Sequence, residues 1–345
     1  MSSPRATARV PWHTIFIAVL TLVLVAVFIR SIDIGRAWQA ILAAHPGWIA
    51  LATLVTLQTY LLRARRWQVI LEPIGRARFR TSFRTTVIGY AANFLLPARI
   101  GEVLRPYLLA RHEQLDPAAA FATIIVERFL DLGMVLLLFA FALWSVGEGV
   151  SPDIKTAGAL AAAMSLVGFA VLFVLAGHPE RLARWATRLT GRLPASVARS
   201  VSHAVQTFVQ GLKVMRSPSH LALSLAWSLP LWVSIALGIF LTTRAFDLTM
   251  PFAGSFLVVG YLTVGVAAPT PGAVGGFHKM YQLALTQFFG ADESVAGAAA
   301  IVLHLLSFVP VTLLGLLFMW QDGLSLGRLK GIRAEAGAAE APKAS

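Results

Sequence analysis

A helix needs about 20 consecutive apolar residues to cross the roughly 30 Å hydrocarbon core of a bilayer. Uncharged stretches of that kind centre on residues 13–29, 47–62, 156–177, 221–243 and 294–320. Residues 117–147 form another, except that Glu127, Arg128 and Asp131 sit inside it. The charged fraction agrees: 13% of residues are charged, where a soluble domain carries about 25%. These features exclude a soluble globular fold and predict an all-α integral membrane protein.

The charges that remain are segregated. Arg63, Arg65, Arg66, Arg76, Arg78, Arg80 and Arg84 stand against the single acid Glu72 in one inter-span stretch. Arg181, Arg184, Arg188, Arg192, Arg199, Lys213 and Arg216 stand against Glu180 in another. Loops this basic stay cytoplasmic, so the net charge of +13 reads as anchoring rather than as nucleic-acid binding. The links 148–153 and 290–293 carry Glu148, Asp153, Asp292 and Glu293 without a basic residue, and are placed outside. Arg5 and Arg9 precede the first apolar run, but Arg30 follows it directly and no small-residue cleavage motif is present. That run is read as a retained first span, not a signal peptide. The expected location is the bacterial inner membrane, with both termini cytoplasmic.

Crossings must alternate, and two apolar segments contain breakers. From the basic loop at 63–84 to the acidic link at 148–153 the chain needs an odd number of crossings, and 117–147 supplies one. Residues 83–112 must therefore enter the membrane and return, and the same parity applies to 253–289. The expected architecture is about six full transmembrane helices plus two opposed re-entrant helical hairpins. Irregular backbone at membrane depth survives only where protein or a watery cavity satisfies it, as in alternating-access transporters. Residues 178–217, with Leu182, Trp185, Leu189 and Leu193 among arginines, read as amphipathic cytoplasmic surface helices. The domain is set at 1–330, and 331–345 as a disordered cytoplasmic tail. The halves show no convincing residue-level repeat.

Three constellations carry the polar chemistry. In the first, Asn93 precedes a turn at Pro97 and Gly101, and Arg99, Glu102 and Arg105 follow at intervals of three, which puts them on one helical face. Two guanidiniums around one carboxylate suit a phosphate. In the second, Glu127 and Asp131 lie one turn apart, near the bilayer midplane, with Arg128 about 100° round the helix. Ionisable groups there cost several kcal/mol unless paired or hydrated, so they serve as an ion-pair lock, a polar path, or both, with Arg99 or Arg105 as partners. The third is an elbow: Pro269, Pro271, Gly272, Gly275 and Gly276 interrupt any helix, and a new one should start near Phe277, with Lys279 in its first turn beside free N–H groups that attract anions. His304 lies mid-span; a neutral, singly bonded imidazole and a proton-linked one both fit, and the same question is open for His278.

The runs Arg63-x-Arg65-Arg66-Trp67, Asn93 to Leu109, Glu127-Arg128-x-x-Asp131 and Pro269 to Phe277 resemble the flippase-like membrane domain of bacterial lysyl-phosphatidylglycerol synthases, as a stand-alone member without the soluble aminoacyl-transfer domain. The resemblance implies lipid translocation. One departure is His278-Lys279 after the glycine pair, where a glutamate is common in that family, so a carboxylate role there does not carry over.

The expected function is flipping of a lipid with an anionic headgroup, with Arg99, Arg105, Arg128 and Lys279 as headgroup contacts. Asn93, Glu102, Glu127, Asp131 and His304 would shape and balance the path. No metalloprotease pair, nucleophile elbow or phosphate loop is present, so no enzyme, metal or cofactor is expected. The partners are membrane lipids and a lipid-modifying enzyme, not nucleic acid. Rival readings are a transporter of a soluble solute, a lipid-modifying transferase using Glu127 or Asp131 as base, and a scaffold for such an enzyme.

Overall fold

The computed structural model describes residues 12–96, 99–146 and 218–324, and part of 156–174. Pro97, the amphipathic segment 178–217 and the tail 331–345 lie outside the described residues. Among those described, every regular element is helical: α1 Trp12–Arg30, α2 Ile34–Ala43, α3 Pro46–Leu71, α4 Phe79–Leu95, α5 Gly101–Glu113, α6 Pro117–Val146, α7 Pro218–Ala245, α8 Gly254–Ala267, α9 Gly276–Phe289 and α10 Glu293–Gln321, with a 3-10 turn at Pro271–Ala273 and helical residues within 156–174.

Three of these, α6, α7 and α10, are long and apolar enough to cross a membrane alone, and α1 with α2 form a fourth such unit bent by 79°. Asp33 caps α2 by accepting from the Arg36 N–H at 3.0 Å. Large apolar side chains point outward: Leu22, Leu54 and Leu313 are exposed, and Trp144 and Trp320, near the ends of α6 and α10, are 80% and 77% exposed. Water would penalise that surface; lipid tails with interfacial tryptophans accept it. The chain is an all-α membrane protein.

Small residues let the helices approach. Ala296, Gly297, Ala298, Ala299 and Ala300 are all buried in α10, and a Cβ on Gly297 would sit 2.6 Å from Ile32. Without a hydrophobic drive between helices in lipid, close contact of this kind supplies the dispersion that holds them.

The two interrupted segments form helical hairpins, α4–α5 and α8–α9. Each crosses at a pair of glycines: Gly89 on Gly101 in the first, Gly265 on Gly276 in the second. A Cβ at Gly265 would lie 2.5 Å from the Gly276 carbonyl oxygen, and the reciprocal contact is the same. Both hairpins thus use one device, a repeat that spacing alone had not revealed. Their bases pack at opposite ends of α10. Arg84 of α4 binds Asp322, just past the C-terminus of α10, whereas Gln282 of α9 donates to the Glu293 carbonyl at its start. The helix between those anchors is about 43 Å long at 1.5 Å per residue, and the tips meet beside its middle.

One sequence expectation fails. Arg63, Arg65 and Arg66 do not lie in a loop: α3 runs on to Leu71, and Arg66 is fully buried. The apolar run Trp67, Val69, Ile70, Leu71 carries the helix past the arginines, and buried carboxylates on α6 receive Arg66.

Candidate functional site

Glu127 on α6 is the hub of a buried ion-pair network. Its Oε1 accepts from Arg105 Nη1 of α5 at 3.0 Å and from Arg128 Nη2 at 2.9 Å, and Arg66 Nη2 of α3 lies 3.4 Å away. One turn on, Asp131 Oδ1 accepts from Arg66 Nη1 at 2.6 Å and from Trp232 Nε1 of α7 at 3.1 Å. Arg128 Nη2 is 3.6 Å from its other oxygen. Ser228 accepts a further bond from Arg66 at 3.1 Å, and the Arg105 guanidinium lies 3.8 Å above the Trp67 ring. Trp67 is itself fixed by donating to Thr123 at 3.0 Å.

Three guanidiniums meet two carboxylates, so the network keeps one surplus positive charge. Glu127 and Arg66 have 1% and 0% of their side chains exposed, while Arg128 has 41%. The surplus therefore surfaces at Arg128. Donors are also in excess: Arg66 Nε, Arg105 Nε and Nη2, and Arg128 Nε find no acceptor among the described residues. Burying such a cluster costs several kcal/mol per ion before pairing, and pairing offsets that cost only with good geometry. Here shared carboxylate oxygens and indole and hydroxyl partners supply the geometry.

Arg128 opens into a cavity of about 540 Å³ between the hairpin tips. Arg99, Glu102 and Asn93 add polar groups on one wall; Phe94, Phe121 and Phe308 make an apolar wall. The elbow residues Pro269, Thr270, Pro271, Gly272 and Ala273 form its far side. Arg99 Nη2 clasps the two hairpins by donating to the Val266 carbonyl at 2.8 Å, and its Nη1 lies 3.8 Å from Glu102. The buried Asn93 Oδ1 has no donor among the described residues. A recess of about 30 Å³ between Gly89, Gly101 and Arg128 reaches Arg105.

The elbow geometry explains its sequence. Gly272 and Gly275 have φ of 59° and 85°, a region that costs residues with a Cβ about 1–2 kcal/mol. Ala273 shares it at 56°. Pro269 lies in the break and Pro271 opens the 3-10 turn. Gly276 begins α9 and Gly101 begins α5, so each serves close approach rather than a break. His304 Nε2 lies 2.7 Å from the Gly272 carbonyl and donates to it, and His278 Nδ1 accepts from the Gly275 N–H at 3.3 Å. Their rings are 4.6 Å apart, bracing the elbow from behind.

Other residues sit apart from the expected pattern. Arg99 has a left-handed φ of 49° and precedes α5, so it does not share a helical face with Glu102 and Arg105. Arg105 turns inward to Glu127 instead. Lys279 donates to Gln282 at 2.8 Å and does not line the cavity. The network pairs α6 with Arg105, whereas Arg99 stays at the tip.

Residues 14–315 match the family described as the lysylphosphatidylglycerol synthase TM region. The chain belongs to this family. Among its relatives is a UPF0104 membrane protein of Methanothermobacter thermautotrophicus, 24% identical over 86% of this chain and 92% of its own length. Another UPF0104 membrane protein, from Methanocaldococcus jannaschii, is 23% identical over 94% and 98%. Glycosyltransferase AglD of Haloferax volcanii is 27% identical over 86% of this chain but 51% of its own length. Members of the lysylphosphatidylglycerol synthase TM family are membrane proteins linked to lipid chemistry, and the glycosyltransferase relative leaves an enzymatic role open.

Sequence reasoning passed over Arg66, Trp67, Tyr90 and Trp232 as site residues. The adjacent Arg66-Trp67 pair inside an apolar continuation was the available signal. Tyr90, which lines the cavity and accepts from Arg63 at 2.7 Å, and Trp232 carried none.

Proposed function

We propose that the chain moves a lipid with an anionic headgroup between leaflets. The headgroup passes between the hairpin tips, against Arg128 and Arg99, while the acyl chains stay in lipid. The observation that carries this reading is the surplus guanidinium of Arg128, exposed into a cavity where two opposed hairpins meet. Guanidinium binds phosphate bidentately and retains its charge at any accessible pH. In this reading the hairpins are re-entrant and six further segments cross. The membrane is a bacterial inner membrane with cytoplasmic termini, and lipids, with a lipid-modifying enzyme, are the partners. Glu102 and Asn93 shape the path, and Arg105, Glu127 and Asp131 hold Arg128 in place.

Reconstitution into liposomes with fluorescent phosphatidylglycerol and phosphatidylcholine tests it. Faster movement of the anionic lipid, lost in Arg128→Gln with insertion intact, is the expected result. Equal rates in wild type and in protein-free vesicles would reject it.

The relation to a glycosyltransferase supports a second reading, a transferase acting on a lipid carrier. A general base must reach its substrate within hydrogen-bond distance. Glu127 and Asp131 are enclosed by arginines and do not line the cavity, whereas Glu102 does. In that reading Glu102 is the base. Chemical turnover of a lipid without change of leaflet, abolished in Glu102→Gln, would favour it.

A further inference from the structure

The first hairpin carries another concave site at its base, away from the cavity. Arg78, Arg80 and Arg84 from the start of α4, with His112 from the end of α5, surround a depression of about 440 Å³ closed on one side by Asp322. Thr81 and Thr85 add hydroxyl groups to its wall.

The three arginines differ in how tightly they are held. Arg84 is locked: Nε is 3.1 Å from both Asp322 oxygens, and Nη2 donates to Oδ1 at 2.8 Å and to the Phe318 carbonyl at 3.3 Å. Arg78 donates to Glu113 at 3.1 Å, yet 75% of its side chain is exposed. Arg80 is exposed and has no acceptor among the described residues. Three guanidiniums against Asp322 and Glu113 leave one positive charge, and it sits on Arg80. The Arg84–Asp322 pair thus serves as a rigid wall, and Arg78 and Arg80 as movable donors above it. Three guanidiniums of α4 converge on a hollow walled by His112 of α5 and by Gln321 and Asp322 at the end of α10, which distinguishes this place from a merely basic loop.

We propose that the depression is a second anion site, which takes a phosphate group carried by an amphiphile or by a soluble compound. It lies about 20 Å along α4 from Asn93 at the cavity, counting 1.5 Å per residue. The binding claim stands on these residues alone; a role as a waiting place for the headgroup rests on the translocation reading. Forked guanidiniums match the oxygens of a phosphate, and a metal cation is disfavoured by the positive lining.

The test uses the full chain, purified in an uncharged detergent and carrying Arg99→Gln and Arg128→Gln, which remove both guanidiniums that line the cavity. Inorganic phosphate, dihexanoyl phosphatidic acid and dihexanoyl phosphatidylcholine are each titrated by calorimetry. Phosphatidic acid should bind, and Arg78→Gln with Arg80→Gln should weaken it about tenfold or more, the scale of a lost charge-assisted bond. Both side chains are exposed, and an unchanged melting temperature confirms the fold. Phosphatidic acid binding far tighter than phosphate assigns a lipid source, and equal binding a soluble one; either supports the site. Affinity unchanged by the two substitutions, or phosphatidylcholine bound as tightly as phosphatidic acid, overturns it. Binding that persists in a protein unable to move lipid would count against translocation alone.

Discussion

Gly101 rests directly on Gly89: a methyl group added to Gly101 would overlap the Gly89 carbonyl oxygen, and one added to Gly89 would lie 2.8 Å from the Arg105 Cβ. The contact fixes how closely α4 and α5 run, and therefore where Arg105 emerges relative to Glu127. Gly265 and Gly276 do the same for α8 and α9.

The first prediction follows from that contact. Gly101→Ala should spread the first hairpin, at a cost of roughly 1–3 kcal/mol as for other overpacked sites. Melting in detergent reads it as a lowered Tm, and Gly47→Ala in α3, which meets no atom within 4 Å, serves as the comparison for a glycine loss without a clash. A Tm equal to wild type for Gly101→Ala would mean the hairpin tolerates separation.

Removing the hub should be worse than removing a spoke. Glu127→Ala leaves Arg66 and Arg105 buried with a shortage of partners, and breaking a buried pair costs about 3–5 kcal/mol. Arg128→Gln removes the half-exposed member and the surplus charge. We expect Glu127→Ala to be poorly folded and Arg128→Gln to be abundant, measured by size-exclusion profile and Tm. The reverse order would contradict the network as drawn.

The elbow is the third target. His304→Ala deletes the bond to the Gly272 carbonyl, a loss of about 1 kcal/mol of local order. An Ala267→Cys reporter, placed in a protein with no native cysteine, should react faster with a maleimide in that background. Equal labelling rates would show that the imidazole does not brace the turn.

Restoring helix through the elbow should abolish transport. Pro271→Ala, Gly272→Ala and Gly275→Ala together favour a continuous helix by a few kcal/mol on helix propensities of about 1 for glycine and about 3 for proline. The Cβ at Gly275 also meets Leu24 of α1 at 2.6 Å. The protein should insert but fail to move lipid in liposomes, and full activity would dispose of the two-hairpin mechanism.

Opposite sidedness of the hairpin bases is testable by labelling. Ala77→Cys should react only from the cytoplasm and Ala291→Cys only from outside, in intact cells against everted vesicles. Labelling of both from one side would break the parity argument.

Much of the helical architecture was legible because apolar length and prolines act locally. The elbow at Pro269–Gly276 could be read from residue type alone, since no helix passes through it. Arg66 could not: positive charge after an apolar run looks like a loop until Asp131 and Glu127 are seen to receive it from another helix. Arg99 was misread for a related reason. Spacing by three implies a shared face only inside a helix, and its left-handed φ of 49° puts it outside one. The paired glycines escaped notice because close approach is a property of two distant segments, while each glycine alone resembles a breaker.

If headgroups pass beside Arg128, its half-exposed guanidinium would have one more effect. Any hydrated opening deep in a coupling membrane is a short circuit for sodium and hydronium, whose gradients the cell works to maintain. On the translocation reading, a fixed guanidinium in the cavity wall would repel both, as positive groups do in water-conducting pores. In that reading the charge that attracts an anionic headgroup would also hold cations back from the bilayer interior.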